Sequence, residues 1–108
     1  MIKSMENKVF DACGSHLQGN IIDHTYDELV HSFGEPTIVD GPCDKTRVEW
    51  NLTFDLEDGE TVKATVYDYC NDEPLDENRF WSIGGWNHSA YTMVASTLYL
   101  DHKIWESI

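Results

Sequence analysis

The stretch that most constrains this chain is "TRVEWNLTFDLEDGETVKATVYDY", residues 46 to 69. Val48, Trp50, Leu52 and Phe54 alternate with Arg47, Glu49, Asn51, Thr53 and Asp55. A period of two puts the apolar set on one face of a half-buried strand and the polar set on the other. Asp58-Gly59 follows, a pair that tolerates the positive φ a tight hairpin demands. On the return, Val62, Ala64 and Val66 point one way, and Thr61, Lys63, Thr65, Tyr67 and Tyr69 the other. Asp68 falls on the Val62 face near the strand end, where it is either exposed or an unusual inward carboxylate. The spacing predicts an antiparallel hairpin that lends one face to a core.

Ahead of the hairpin, "TYDELVHSFGEPT" at 25 to 37 predicts a short helix. Thr25 and Glu28 have capping-box spacing, and Asp27 and Glu28 lie in the first turn, where the helix dipole favours negative charge. Leu29, Val30 and Phe33 supply the buried face; Gly34 ends the helix with positive φ and Pro36 forbids its continuation. The two carboxylates are therefore read as caps and not as catalysts. "LQGNIID" reads as the approach to this helix, with Gly19 as a turn and Ile21-Ile22 as an apolar anchor. Residues 1 to 16 lack periodicity and read as a short strand around Val9-Phe10 or a flexible arm. "DGPCDK" at 40 to 45 reads as a loop.

After the hairpin, residues 70 to 79, "CNDEPLDENR", read as a long acidic loop. "FWSIGGWN" reads as a short strand ending in Gly84-Gly85. Asn87 or Ser89 caps a last helix from about His88 to Ile104, with Tyr91, Val94, Ala95 and Leu98 as its core stripe. Met93, Thr97 and Leu100 widen that band, which fits burial on two sides or a homodimer surface. The order α-β-β-β-α predicts an α+β two-layer sandwich: an antiparallel sheet of three to four strands with two helices on one face. A chain of 108 residues makes this a single domain, 1–108. It buries roughly 65% of its extended surface, enough for one core without covalent staples.

Charge narrows the function classes. Twenty acidic residues stand against seven basic ones, a formal net charge of -13. Such a surface repels nucleic acid and anionic membrane and favours a basic partner. The lysines and arginines are scattered, so direct nucleic-acid binding is not expected. Three cysteines, Cys13, Cys43 and Cys70, form no CxxC pair and fit reduced thiols in a cytosolic compartment. Cys13 and His16 are too few ligands for zinc, and no metal or cofactor is expected. No apolar run is long enough to span a membrane, and no apolar stretch follows Lys3 as in a signal peptide. The five histidines form no HExxH, no GxSxG elbow exists, and Ser89 beside His88 is only a sequence neighbour. The chain is read as non-enzymatic.

Two residue sets are candidates for function. The first is acidic: Asp55, Glu57, Asp58 and Glu60 in "DLEDGE", and Asp72, Glu73, Asp76 and Glu77 in "NDEPLDEN". If the sheet brings them near each other, these carboxylates imitate phosphates and occupy a basic nucleic-acid channel of another protein. The second is the junction Trp81, Gly84, Gly85, Trp86, Asn87 and His88. A strand that ends in two glycines and enters a helix offers backbone N–H groups to an anion, and flanking tryptophans stack a ring. The same residues also fit a tight turn beside core tryptophans.

Several of these motifs occur in one order: Leu17-Gln18-Gly19, "TYDELVHSFGEPT", Glu49-Trp50, Phe54 with Asp58-Gly59, "VYDY" at 66 to 69 and "WSIGG" at 81 to 85. In this order they resemble a family of small uncharacterised proteins from tailed phages and large DNA viruses, over about residues 17 to 95. Pro42-Cys43 departs from that pattern. The resemblance implies a viral accessory protein acting in the host cytoplasm and supplies no catalytic residue. A weaker likeness, to SmpA/OmlA and β-lactamase-inhibitor-like modules, rests on the helix ending in Gly-x-Pro before strands with Asp-Gly turns. It implies the fold class and a protein-binding habit. The expectation is thus a viral protein that binds and inhibits a host defence or nucleic-acid-handling protein through its acidic surface. The alternatives are a protein that sequesters a small nucleotide-like ligand at Gly84-Gly85, and a virion or assembly component.

Overall fold

The hairpin forms as its alternation dictates. Strand β4 (Thr46–Leu56) pairs antiparallel with β5 (Thr61–Tyr69). Gly59 turns at φ 93°, Leu56 N donates to Glu60 O at 2.8 Å, and Asp58 Oδ1 accepts from Glu60 N at 2.9 Å. The computed structural model describes residues 2–40, 46–69 and 73–106, the stretch 102–106 through its backbone alone. Around the hairpin it places β1 (Ile2–Asn7), β2 (His16–Ile22), α1 (Tyr26–Phe33), the two-residue β3 (Ile38–Val39), β6 (Phe80–Gly85) and α2 (Ser89–Glu106).

The fold is α+β with an antiparallel sheet, but the described residues hold six strands and not three or four. The sheet order is β1-β4-β5-β6-β2, with β3 on the β1 side of β4. The additional long strands both precede α1. Residues 2–7, and not Val9-Phe10, form an edge strand on β4. The stretch expected as a turn and an anchor is strand β2, paired with β6. Gly19 makes no chain turn. It lies at a bulge in β2, and a Cβ there would come within 2.6 Å of the Tyr91 ring, so its role is close approach of helix and strand. Within β2 only Ile21 is buried, which is why the segment shows no alternation.

The core lies on one face of the sheet. Trp50, Leu52, Phe54, Ala64, Val66, Trp81 and Ile83 form one cluster with Leu29 and Phe33 of α1 and Ala90, Val94 and Leu98 of α2. The capping box closes as expected: Glu28 N donates to Thr25 Oγ1 at 3.2 Å and Thr25 N to Glu28 Oε1 at 2.9 Å. Such a cap stabilises by about 1 kcal/mol, too little for an eight-residue helix on its own. Two indoles supply the rest. Trp81 Nε1 donates to His24 O at 2.8 Å, just before the helix, and Trp50 Nε1 to Gly34 O at 2.9 Å, just after it. The two rings meet edge-on at 5.6 Å beside Tyr26. Each removes roughly 200 Å² from water, about 5 kcal/mol of transfer free energy.

Consecutive strands β1 and β2 sit at opposite edges, so the chain between them must cross the sheet. It crosses on the face away from the helices. Asn7, Leu52, Ala64, Gly85 and His16 share one rung, so β1 ends on the rung where β2 begins. Four strand spacings of about 4.8 Å make about 19 Å, well within the reach of residues 8–15. Lys8 N donates to Asn51 O and Phe10 N to Asn51 Oδ1, each at 3.2 Å. Lys63 Nζ lies 5.3 Å from the Phe10 ring centroid. Asn51, on the polar face of β4, is therefore buried under this strap, and Thr65 beside it is buried too.

Candidate functional site

The two acidic clusters do not form one surface. Asp55, Glu57, Asp58 and Glu60 are exposed at the tip of the β4–β5 hairpin. Glu73, Asp76 and Glu77 are exposed at the opposite end, in the connection from β5 to β6; Asp72 lies outside the described residues. β5 has nine residues, and eight steps of about 3.3 Å put the ends about 26 Å apart. The condition set by the sequence reading, that the sheet bring the clusters together, is not met. Each cluster instead gathers neighbours from elsewhere in the chain. Exposed Glu6 of β1 pairs with Thr53 on the hairpin side, and exposed Asp23 and Asp27 lie around the start of α1, which packs against the Leu75–Glu77 turn.

Some of these carboxylates also hold local structure. Asp55 accepts from Ser4 Oγ at 3.3 Å and from Thr61 Oγ1 at 3.1 Å, and Asp58 holds the turn. Of the basic side chains nearby, Arg47 is directed into the fold, whereas Lys3, Lys63 and Arg79 are exposed. Arg47 Nε donates to Asp68 Oδ2 at 2.5 Å and Arg47 Nη1 to Glu73 O at 2.6 Å, while Lys63 lies over Phe10. Asp68 is thus the inward alternative of the sequence reading, fully buried and paired.

The strand-to-helix junction is built for packing. Gly84 pairs with Thr65 and Leu17, and Gly85 with Ala64 and His16, so both glycines lie between two paired strands. A Cβ on Gly84 would stand 2.6 Å from Thr65 Oγ1, and one on Gly85 2.4 Å from Ala90 Cβ. The glycines let the first turn of α2 settle on the sheet. Asn87 Oδ1 accepts from Ser89 N at 2.9 Å and Asn87 O from Ala90 N at 3.2 Å, which occupies the first donors of α2. His88 stacks on Tyr91 at 5.4 Å. The tryptophans do not converge: Trp81 is in the core, a correction to its reading as a ligand wall. Trp86 is 45% exposed on the strap side, 6.0 Å from Phe10.

A surface the sequence reading did not single out lies on the same open face, beyond the strap. One rung reads Ile38, Glu49, Tyr67, Ser82 and Asn20; further along, Phe80 pairs with Ile22 and Tyr69 with Thr46. Each of Glu49, Tyr67, Tyr69, Phe80 and Ile22 is flanked in its strand by a core-facing neighbour, so all five point away from the helices. Ile22 is 61% exposed, Tyr69 49% and Phe80 48%. Tyr67 and Tyr69 meet edge to face at 6.4 Å. Glu49 Oε2 accepts from Asn51 Nδ2 at 2.7 Å. Burial first, then the charge of Glu49 and the neighbouring Tyr69, push the Tyr67 phenol up. The available signal was the pair Tyr67 and Tyr69 on the polar side of the alternation.

Leu100, part of the wide apolar band expected on α2, is exposed, and so is Tyr99 beside it. No group of three or more metal-ligating side chains occurs among the described residues, and none of their helices is long and apolar enough to cross a membrane. Cys13 is a free, exposed thiol; Cys43, Cys70 and the loop departure at Pro42-Cys43 lie outside the described residues. In comparisons with known proteins, no family model matches this chain, and neither a curated protein nor a solved structure does.

Proposed function

We propose that this chain is a non-enzymatic binding protein that captures a basic, nucleic-acid-handling partner and blocks it by presenting carboxylates in place of phosphates. The observation behind this reading is the placement of charge. Exposed carboxylates cluster at both ends of the sheet and outnumber the exposed basic side chains Lys3, Lys63 and Arg79 there, while Arg47 is paired with buried Asp68. With a net charge of -13, the field around such a slab attracts cationic surfaces and repels nucleic acid. The separation of about 26 Å changes the form of the mimicry: two anionic lobes grip separate basic patches, in place of one continuous strip. The resemblance to phage and large-DNA-virus proteins sets the reading in the host cytoplasm, with a host defence protein as the target class.

The test is recovery of partners from host lysate at low and high salt, followed by nucleic-acid binding by the recovered protein with and without this chain. The reading expects a basic protein retained at low salt, released at high salt, and displaced from nucleic acid by this chain. A variant with Glu57→Lys, Glu60→Lys, Glu73→Lys, Asp76→Lys and Glu77→Lys spares Asp55 and Asp58, which hold the hairpin. It should fold and lose the partner. Retention of the partner by that variant, or co-occupancy of partner and nucleic acid, overturns the reading.

A further inference from the structure

We propose that the aromatic half of the open face, Tyr67, Tyr69 and Phe80 with Ile22 and Glu49, seats an arginine side chain from an extended basic segment of the partner. This inference rests on the reading of a basic partner and names where that partner engages. Isolated exposed apolar residues are ordinary on a protein surface, whereas a contiguous patch marks an interaction site. Here the residues are contiguous by register: Phe80 lies directly opposite Ile22, Tyr69 continues the face of Tyr67, and the two pairs adjoin because Tyr67 pairs with Ser82, two residues from Phe80. The patch is also charged in one sense only at its inner edge, where Glu49 stands across from Tyr67.

The patch suits a cation on three grounds, the second of which selects a guanidinium. Aromatic faces beside a carboxylate attract a cation through both the ring quadrupole and the charge. A guanidinium stacks flat on a ring while its N–H fork reaches a carboxylate, which a lysine ammonium does not do. The same open face already seats a cation on an aromatic ring on the other side of the strap, where Lys63 Nζ lies 5.3 Å from the Phe10 centroid. Single-stranded nucleic acid, the other ligand that stacks on an exposed aromatic sheet, would bring phosphates against Glu49, Asp23 and Glu73.

The experiment is a titration of the isotope-labelled full chain with an octa-arginine peptide, an octa-lysine peptide and a dodecathymidylate, followed by amide and aromatic NMR shifts. The proposal expects octa-arginine to move Asn20, Tyr67, Tyr69 and Phe80 and to bind several-fold more tightly than octa-lysine at the same salt. Tyr69→Ala with Phe80→Ala, both at exposed positions, should weaken octa-arginine by about tenfold, and Tyr69→Phe should restore most of its share. Equal affinity for the two peptides, with no effect of the double substitution, overturns the proposal. If the charge-reversed variant still loses binding in that case, the acidic reading stands alone. Octa-arginine that fails to bind even at low salt overturns both. Shifts at the patch with dodecathymidylate, or light scattering that shows a dimer whose interface protects these residues, also overturn it.

Discussion

Asp68 is the residue whose loss the fold should feel most for its size. The ladder between β4 and β5 slips between Thr46 and Glu49, so the N–H groups of Arg47 and Val48 lose regular acceptors there. Asp68 Oδ1 accepts both, at 2.9 and 3.0 Å, while Oδ2 takes Arg47 Nε. Asp68→Ala strands two backbone donors, at about 1–2 kcal/mol each. It also frees the guanidinium, but that side chain is 35% exposed and water recovers much of the ion pair, so about 1 kcal/mol or less is added. The expected loss is about 3–4 kcal/mol, a large share of the stability of a domain this size. It corresponds to a fall in Tm of roughly 15–20 °C. Asp68→Asn keeps an oxygen for the two N–H groups and loses the counter-charge, so it should cost about half as much. Arg47→Gln leaves the buried carboxylate its two backbone donors but no counter-charge and loses the bond to Glu73 O, so it should cost about 1–2 kcal/mol. Urea unfolding of the three variants checks the ranking. If Arg47→Gln costs as much as Asp68→Ala, the ion pair and not the bulge is what the carboxylate serves. A loss below about 1 kcal/mol for Asp68→Ala refutes the whole account.

Further expectations follow from the same geometry. Gly85→Ala should lower stability by about 1–3 kcal/mol through the contact with Ala90, with part of the loss relieved by Ala90→Gly, as a double-mutant cycle by thermal unfolding would show. Trp81→Phe should cost about 2–3 kcal/mol through the lost bond to His24 O and lost volume, whereas Trp86→Phe should stay within about 0.5 kcal/mol in chemical denaturation. The phenol of Tyr67 is raised by burial, then by Glu49 and Tyr69, and that of Tyr26 by burial, then by Glu35 and Asp27. Raised native values mean the unfolded chain loses these protons first. Stability from this source is therefore full below the ordinary tyrosine value of about 10 and falls as pH climbs from there. Tyr67→Phe with Tyr26→Phe should flatten stability against pH above that point, and an unchanged slope would count against the burial of both.

The parts legible in the sequence are those whose side chains alternate or cap. The β4–β5 hairpin, the Thr25–Glu28 box and the stop at Gly34 each rest on local residue chemistry, and the structure contains all three. β1 and β2 were not legible for the opposite reason. As edge strands they place few side chains in the core, and Gly19 in β2 imitates a turn until Tyr91 is seen against it. The glycines at 84 and 85 imitate a ligand loop in the same way. Their reason for being glycine lies in Thr65 and Ala90, residues remote in sequence. The position of the acidic clusters likewise depends on the direction of β5, which charge alone does not reveal.

The crossing at residues 8–15 ties the separate features of the open face together. Because β1 ends and β2 begins on the same rung, the strap runs across the middle of the sheet and divides that face into two fields. Asn51 holds the divide. Its Oδ1 fixes the strap at Phe10, and its Nδ2 fixes Glu49 on the far side. Toward the hairpin the field is polar, with Thr53, Asp55 and Thr61, and its exposed cation Lys63 lies over the Phe10 ring. Toward the other end the field is aromatic and has Glu49 as its inner charge. A polar residue buried at 51 is costly unless its groups are bonded. Its bonds here reach both fields, so the side chain that completes the fold also orients the carboxylate assigned to the partner's arginine.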